Sequence, residues 1–432
     1  MARSGVSRFA AIAALLALGT LRLFILLGAS TLAWAGVASY RAWDALRRRG
    51  FLAALALLDA FGLWKIASAV RDAAHDLPRW DFLCFYLYGR VAVLAHDVYD
   101  PATFYRLGRG LSADPEWVRE ILRVGFPYPP DSIIVPYFLG FFATPRAALV
   151  PWYAVLLAGF IACIALARNY VAGPWLPATL ATFAFVAIWG PTIETLQFAQ
   201  TIFLVAAFVF AYARERSDWR AGIWLALAVV VKPFVLVLVL VPLIRRQWQT
   251  LAAFAGTLLA ALALADGLLG RRNVIAYFTD NPVGRYPAVA YLDDVNISPF
   301  SALLRARHVR PTHVVLAHET VFLLCALGFV LATVLSIAYA RSRERDDYAL
   351  ALAICCALIV FPQTLNFYAF VLLVPFAILW KRATVHHLAV AAILAIDATL
   401  VSISSANLGA AVLILNWLGF MYLLLTDDAL AT

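Results

Sequence analysis

Long apolar runs, separated by short charged or polar segments, fill most of the sequence. About twenty apolar residues form one membrane-spanning helix, and these runs are solid blocks rather than the alternating segments of about ten residues that predict a β-barrel. The pattern predicts an all-α polytopic integral membrane protein with about 11–13 transmembrane or re-entrant helices. The predicted apolar elements cover residues 9–35, 51–70, 137–142, 147–167, 175–189, 201–213, 221–244, 251–269, 315–340, 348–380, 388–402 and 408–425.

Two of these runs are interpreted as pairs of short helices. The run 221–244 lies between two basic loops and carries Lys232-Pro233 at its middle, and the run 348–380 has basic flanks and a polar interruption at residues 362–366. Proline breaks helices, and irregular backbone at membrane depth is tolerated only where it is buried in protein or lines a wet cavity. The alternative is that each run is one kinked span, with one basic loop on the non-cytoplasmic side.

The composition leaves no room for a large soluble domain, so we expect one transmembrane domain over residues 1–432. Hydrophobic residues make up 64% of the chain and charged residues 14%, whereas soluble domains have about 45–50% and about 25%. The net charge of +9 resides in short loops, so it indicates topology rather than a nucleic-acid partner. The five cysteines form no CxxC pair and have no histidine at ligand spacing, so we expect no metal site.

The distribution of Lys and Arg predicts the topology, because cytoplasmic loops collect these residues. Two long polar segments, residues 71–125 and 271–313, are expected outside the cytoplasm. The basic segments expected in the cytoplasm are residues 47–49, 214–220, 245–246, 341–345 and 381–382.

Two charged residues are the strongest candidates for chemistry. Asp81 lies among aromatic residues early in the first polar loop, where desolvation raises the pKa of a carboxyl group and suits it to general-base catalysis. The alternative is that Asp81 caps a helix that follows Pro78. Lys232 lies inside an apolar run, where an ionisable residue is a functional candidate by default and an anionic phosphate is a natural partner. The alternative for Lys232 is a snorkelling or structural lysine.

Other polar residues carry weaker signals. Arg285 and Asn296 lie in the second polar loop and are ordinary loop residues by composition. Glu194 and Gln200 lie between two apolar runs, where they line a polar cavity or form a solvated turn. The sequence contains no P-loop, dinucleotide-binding fingerprint, nucleophile elbow or zinc-protease signature.

Several sequence blocks, taken in order, resemble one family of membrane enzymes. They look like the bacterial GT-C glycosyltransferases that use polyprenyl-phosphate-mannose, the relatives of the phosphatidylinositol-mannoside mannosyltransferases, from about residue 58 to residue 380. The blocks are Asp81-Phe82 with Tyr86 and Gly89-Arg90, then Asp97-Val98-Tyr99-Asp100-Pro101, Phe126-Pro127-Tyr128-Pro129-Pro130, Ala221-Gly222 through Lys232-Pro233 to Arg245-Arg246-Gln247-Trp248, and Asn296-Ile297-Ser298 with Ser301 and Arg305.

This resemblance implies a GT-C fold and an inverting transferase in the bacterial inner membrane, with its active site facing the periplasm. The donor would be a polyprenyl-phosphate-linked sugar and the acceptor a lipid or glycan, with membrane lipids around the chain and no separate cofactor. Asp81 matches the family's general base, and Lys232 matches its Lys-Pro position, a donor-phosphate ligand. Further candidates for donor or substrate binding are Tyr128, Gln200, Arg285, Asn296, Ser298, Asn366 and Tyr368.

Two positions depart from the family pattern and leave the acceptor and the sugar open. Many relatives have Ser-Pro-X-Ser-Trp followed by His, whereas residues 361–368 contain no His, and a common Gly-Gln pair is Ala199-Gln200. A transporter or flippase for a lipid-linked saccharide precursor is the alternative function, and it predicts internal inverted repeats. A polymerase or ligase for lipid-linked glycans would share the donor class. Two long polar loops rich in aromatic and acidic residues favour an external catalytic cavity.

Overall fold

The computed structural model describes residues 33–34, 36–37, 39–75, 80–111, 126–171, 173–280, 295–308, 320–380 and 406–426. Within these ranges the chain is helical without β-strands, and an isolated antiparallel bridge pairs Asn296 with Leu365. The predicted run 388–402, and most of the run 9–35, lie outside the described residues.

The α-helices of at least five residues are numbered here in chain order. The first eight are α1 (Ala45–His75), α2 (Trp80–Leu94), α3 (Pro101–Gly108), α4 (Pro145–Ala167), α5 (Trp175–Ile188), α6 (Gly190–Gln197), α7 (Ile202–Arg214) and α8 (Asp218–Val231). The remaining eight are α9 (Leu240–Ile244), α10 (Trp248–Leu269), α11 (Arg271–Asp280), α12 (Pro299–Ala306), α13 (Thr320–Ser342), α14 (Asp346–Val360), α15 (Leu373–Trp380) and α16 (Ala406–Thr426). Two 3₁₀ helices, Pro233–Val239 and Asn366–Leu372, precede α9 and α15.

Among the described residues, five helices are long and apolar enough to cross a membrane: α1, α4, α10, α13 and α16. The pair α5 and α6 bends by 62° and forms either a broken span or a re-entrant loop. These helices confirm the predicted all-α polytopic membrane protein. The apolar run 137–142 is not a span, because it belongs to the short helical segment 130–141, in which 3₁₀ turns flank the four-residue α-helix Ile134–Tyr137.

Both broken runs are helix pairs that start and end at the same end of the bundle. Helix α8 ends at Val231, Lys232 has an extended backbone, and the chain returns through Pro233–Val239 and α9. Helix α14 ends at Val360, and the chain returns through Asn366–Leu372 and α15. Residues from the two ends of each run, Asp218 with Arg245 and Asp346 with Ile378, line one cleft of about 100 Å³. The paired-helix interpretation is therefore confirmed, and the single kinked span is wrong for both runs.

The basic loops on either side of these helix pairs meet at that same end. Arg245 forms an ion pair with Asp346 at 2.6 Å, and Arg341 donates a hydrogen bond to the carbonyl of Ile244. The rings of Tyr170 and Phe210 pack with their centroids 6.1 Å apart, which brings the end of α4 to the same place. Three of the basic segments that the charge pattern assigned to one side of the membrane, residues 214–220, 245–246 and 341–345, thus share one end of the bundle, and the segment 381–382 lies outside the described residues.

The two long polar segments meet at the opposite end. The side chain of Asn273, in α11, accepts a hydrogen bond from the backbone N–H of Val98 at 3.0 Å and donates one to the carbonyl of His96. The rings of Tyr99 and Tyr277 pack at 5.7 Å. The first polar segment is not a simple surface loop, since most residues of α2 are apolar and buried in the bundle.

A close contact between glycines joins α2 to the segment 130–141. A Cβ added to Gly89 would lie 2.2 Å from the carbonyl oxygen of Pro136, and one added to Gly140 would lie 2.2 Å from the oxygen of Gly89. Arg90 and Tyr86 donate hydrogen bonds across the same contact, to Gly140 O at 3.1 Å and to the carbonyl of residue 142 at 3.0 Å. Tyr86 and Gly89-Arg90 therefore fix where α2 lies, and with it the position of Asp81.

Candidate active site

Lys232 is a buried cation at membrane depth. Its 14-residue helix α8 rises about 21 Å from the charged end of the bundle. Helix α10 starts at the same end beside it, since a Cβ on Gly222 would lie 2.2 Å from the carbonyl oxygen of Thr250, and its 22 residues rise about 33 Å. Lys232 is only 2% exposed. It therefore lies about 12 Å below the far end of α10 and inside the protein.

Three aromatic rings and one hydroxyl group surround the ammonium group of Lys232. Its Nζ lies 4.9 Å from the ring centroid of Tyr128, 5.4 Å from that of Tyr368 and 5.5 Å from that of Phe85. It also donates a hydrogen bond to the Tyr128 hydroxyl oxygen at 3.1 Å. Cations are attracted to aromatic faces at such distances, and more strongly where water is excluded. The aromatic cage, defined as Phe85, Tyr128 and Tyr368, thus holds the ammonium group in place.

The charge of Lys232 has no acidic counterpart in the cage. Among the described residues, no carboxylate oxygen lies within 4.0 Å of its Nζ, whereas Arg245 does have such a partner. A buried charge is costly unless it is paired. The site is therefore electrostatically complementary to an anion, and a phosphate group would supply both the negative charge and the missing acceptor oxygens.

The two helix breaks pack directly against each other at this site. The ring of Phe234, which follows the Lys232-Pro233 break, stacks on the ring of Tyr368 at 4.9 Å and packs on that of Phe361 at 5.8 Å. Phe361 and Tyr368 flank the second break and are 6.1 Å apart. The breaks therefore meet beside Lys232, where irregular backbone at membrane depth is buried in protein, as expected.

Asp81 lies close to this cage. It is the second residue of α2, within the first turn and not at the N-cap position of the alternative interpretation. Phe85 follows four residues later on the same helix face, since residues four apart are neighbours on a helix surface. The pKa of the Tyr128 phenol is raised by burial and then by the negative charge of Asp81. Asp81 and Lys232 thus both lie near Tyr128.

A hydrogen-bonded clamp joins the second polar segment to the second break. The side chains of Asn296 and Ser298 donate to the carbonyl oxygen of Pro362 at 3.1 and 2.8 Å. The backbone N–H of Asn366 donates to the carbonyl of Val295 at 3.0 Å, and its side chain accepts from the N–H of residue 367. Asn296, Ser298 and Asn366 are buried and bonded to the backbone, so in this structure they shape the site without contacting Lys232. Substrate contacts by these three residues stay a prediction.

Gln200 lies in the turn between α6 and α7. Its backbone N–H donates to Thr195, and its buried side-chain oxygen has no hydrogen-bond partner in the described parts of the chain. The preceding Ala199 has a φ of 51°, in the left-handed region that favours glycine. This conformation explains why a Gly-Gln pair suits the turn. The carbonyl of Ala199 accepts a hydrogen bond from Trp152, whose ring packs on Phe85 at 5.1 Å.

Two residues near the site escaped the sequence-based predictions, and one predicted residue cannot be placed. Phe85 could have been found from its position four residues after Asp81. Asp131 follows the Pro129-Pro130 pair, and burial raises the pKa of its carboxyl group. Burial raises the pKa values of Tyr99 and Tyr277, and the charge of Asp131 raises them further, which places Asp131 beside the junction of the two polar segments. Arg285 lies outside the described residues.

Comparison with known families assigns the chain to a group of enzymes. The chain matches glycosyltransferase family 87 over residues 126–365, which is more than half of its length. The matched region includes Tyr128, Lys232, Asn296 and Ser298; it ends one residue before Asn366, and Asp81 precedes it. No curated protein and no solved structure matches the chain. The match confirms the glycosyltransferase part of the resemblance, and it leaves the mannosyltransferase subfamily as a proposal. The chain therefore belongs to glycosyltransferase family 87, and it is a membrane glycosyltransferase.

Proposed function

We propose that the enzyme transfers mannose from a polyprenyl-phosphate donor to the hydroxyl group of a lipid or glycan acceptor, with inversion at the anomeric carbon and with a GT-C arrangement of the site. The observation that supports this proposal best is the buried Lys232 ammonium group, which has an aromatic cage and no carboxylate partner among the described residues. A phosphate that remains attached to a membrane lipid is the anion that reaches a cation at this depth.

In the proposed reaction, Asp81 removes the proton from the acceptor hydroxyl group as its oxygen attacks the anomeric carbon. The bond between that carbon and the phosphate oxygen breaks, and its electron pair stays on the leaving phosphate. Lys232 stabilises the negative charge that develops there. The Tyr128 hydroxyl oxygen accepts from Lys232, so its own hydrogen is available to a phosphate oxygen. A single displacement of this kind inverts the configuration.

The transporter alternative is less consistent with the helix pairs. It predicts broken helices in two halves of opposite topology. Both broken runs of this chain begin and end at the same end of the bundle, so they are not related by inversion. Membership of a glycosyltransferase family also supports the enzyme.

The catalytic assignment is tested with Asp81→Asn. This change keeps the size of the side chain and removes the group that accepts a proton, and general bases contribute about 10²–10⁴-fold. Turnover of radiolabelled polyprenyl-phosphate-mannose by purified enzyme should fall at least about a hundredfold, while donor affinity is retained. Asp100→Asn is the matched control, because Asp100 caps α3 by accepting from the N–H groups of Ala102 and Thr103, and Asn caps equally well. An Asp81→Asn enzyme within about threefold of wild type would reject the assignment.

We further propose that the polar end of the bundle faces the periplasm of a bacterial inner membrane, because the basic loops share the other end. Gly110 is exposed in the first polar segment, and Arg343 is exposed in a basic loop. In a Cys325→Ser background, which removes the exposed cysteine among the described residues, an impermeant maleimide should label Gly110→Cys in intact cells and Arg343→Cys only after permeabilisation. The reverse pattern would invert the topology.

A further inference from the structure

The segment 175–214 is another helix pair that starts and ends at the charged end of the bundle. The guanidinium carbon of Arg168, just after α4, lies 5.5 Å from the ring centroid of Trp175, the first residue of α5, and Tyr212, near the end of α7, lines the charged cleft. The 14 residues of α5 and the 13 residues of α7 rise about 21 and about 20 Å. The tip of this pair, defined as residues 190–201, therefore lies at about the depth of Lys232, which follows a 14-residue helix from the same end.

The tip approaches the aromatic cage through two contacts. The ring of Phe198 packs on that of Phe367 at 5.6 Å, and Phe367 directly precedes Tyr368, a ring of the cage. On another side, Trp152 donates a hydrogen bond to a backbone carbonyl of the tip at 2.8 Å and packs its ring on that of Phe85, a second ring of the cage. The tip is thus separated by one side chain from each of two cage residues.

Glu194 lies on the face of α6 that contacts the second break. Residues three and four apart are neighbours on a helix surface, so Glu194, Gln197 and Phe198 share one face. All three are partly exposed, whereas Thr195 and Leu196, on the other side of the helix, are buried. A partly exposed face that contacts Phe367 indicates that space remains between the tip and the second break, beside the cage.

Polar atoms of both elements have hydrogen-bonding capacity that the protein does not use. Among the described residues, the Oε2 atom of Glu194 is buried without a hydrogen-bond partner, and so is the Nε2 atom of Gln363 in the second break. Buried polar atoms are normally hydrogen-bonded, so these two are candidates for contacts with a ligand. A phosphate does not suit Glu194, because a carboxylate repels it. A sugar hydroxyl group suits both atoms, since it donates to a carboxylate oxygen and accepts from an amide N–H.

We propose that the Glu194 carboxylate binds a hydroxyl group of the sugar that is transferred, and that the Gln363 amide donates to a second one. The sugar is attached directly to the donor phosphate, and the tip flanks the cage that holds Lys232. The position of the phosphate rests on the proposed function, whereas the contacts of the tip and the buried polar atoms do not. Glu194 contributes to the choice of sugar in this way, because a site built to hydrogen-bond a substrate hydroxyl group rejects an analogue that lacks it.

The test measures equilibrium binding of farnesyl-phosphate mannose, its monodeoxy analogues and sugar-free farnesyl phosphate to purified enzyme in the absence of acceptor. Glu194→Ala removes the carboxylate at a partly exposed position, where a smaller side chain is tolerated. Glu194→Gln keeps the shape and one neutral acceptor oxygen, and it serves as the second variant. Glu215→Gln is the matched control, because Glu215 lies at the charged end of the bundle and its Oε1 accepts from the N–H groups of Arg216 and Ser217.

In the wild-type enzyme, removal of one particular hydroxyl group should weaken binding about ten- to hundredfold, which is the contribution of one hydrogen bond to a charged group. Glu194→Ala should weaken binding of the complete donor by a similar factor, and it should bind that deoxy analogue within about twofold of the complete donor, because both changes remove the same contact. Glu194→Gln should show the same pattern with a smaller loss. Farnesyl phosphate should bind the wild type and all variants equally, which also shows that the variants are folded.

Equal losses for farnesyl phosphate and for its mannosyl form would make Glu194 a structural residue and overturn the proposal. So would a Glu194→Ala enzyme that is as sensitive as wild type to every deoxy analogue. A raised KM for the acceptor with unchanged donor binding would assign Glu194 to the acceptor and reject its contact with the transferred sugar. Failure of the proposed function has a different signature, since the wild-type enzyme would then bind neither ligand, whereas a wild type that binds farnesyl phosphate and gains nothing from the sugar overturns this inference alone.

Discussion

Replacing Lys232 with methionine separates the role of this residue in donor binding from its role in folding. Methionine has a similar length and removes the charge. If the ammonium group binds the donor phosphate, the variant loses one charge-assisted contact, which contributes about 1.5–3 kcal/mol. The KM for donor should therefore rise roughly ten- to hundredfold, and kcat should fall as well because the leaving phosphate is less stabilised.

The effect on folding stability should be small or even opposite in sign. Lys232→Met loses three cation–aromatic contacts of about 0.5–2 kcal/mol each and one hydrogen bond of about 0.5–1.5 kcal/mol. It also removes the penalty for burying a charge without a carboxylate, which is several kcal/mol. These contributions are comparable, so we expect the stability to change by about 1 kcal/mol or to rise. A site that binds an anion is expected to cost stability in this way.

The assay combines donor kinetics with thermal unfolding in the same detergent. Lys65→Met is the matched control, because Lys65 also lies in a membrane-spanning helix and packs on an aromatic ring, that of Phe61 at 5.9 Å, but is far along the chain from the cage. We expect near wild-type kinetics for the control. Unchanged donor kinetics in Lys232→Met, or a large loss of stability with unchanged kinetics, would refute the donor-phosphate role and leave Lys232 a structural residue.

Two further predictions concern stability. Gly89→Ala should destabilise the protein by about 1–3 kcal/mol, because the added Cβ would lie 2.2 Å from the carbonyl oxygen of Pro136. Gly256→Ala in α10, where nothing lies within 4 Å of the added Cβ, should be neutral or stabilising by up to about 1 kcal/mol. Equal melting temperatures of the two variants would contradict this prediction. Asp131→Asn should raise the melting temperature at pH 8 and have little effect near pH 4. Burial raises the pKa of Asp131 in the folded state, so its contribution to stability is present below the unfolded pKa of about 3.9 and is lost as the pH rises through the folded pKa. A less stable Asn variant at pH 8 would show that the carboxylate is paired.

Only the contacts of the motif residues show which of them have a structural role and which have a chemical role. Gly89 and Arg90 form the joint that positions α2, and Asp100 caps α3. Asn296 and Ser298 hold the second break through the carbonyl of Pro362. In the same motifs, Lys232 donates a hydrogen bond to Tyr128, and the remaining N–H and O–H donors of the two side chains are available to a ligand. Most residues of these motifs therefore have structural contacts, and membership of a motif does not by itself indicate a catalytic role.

Local features of the sequence determined the fold class and the two helix breaks. Apolar runs predict spanning helices because a backbone in lipid must satisfy its own hydrogen bonds. Pro233 and the residues 362–366 interrupt their runs because proline lacks an N–H group and polar residues resist burial. The charge pattern placed the basic loops together, and the ion pair of Arg245 with Asp346 agrees with that placement. These inferences needed only the local sequence and the properties of the lipid and water around it.

The cage and the clamp were decided by the tertiary structure alone. Tyr128 and Lys232 are 104 residues apart in the chain, and nothing local to either residue encodes their contact. Hydrophobic periodicity reports which face of a helix is buried, but not against what. Which distant side chains meet depends on how all the helices pack at once, and that information belongs to the assembled bundle.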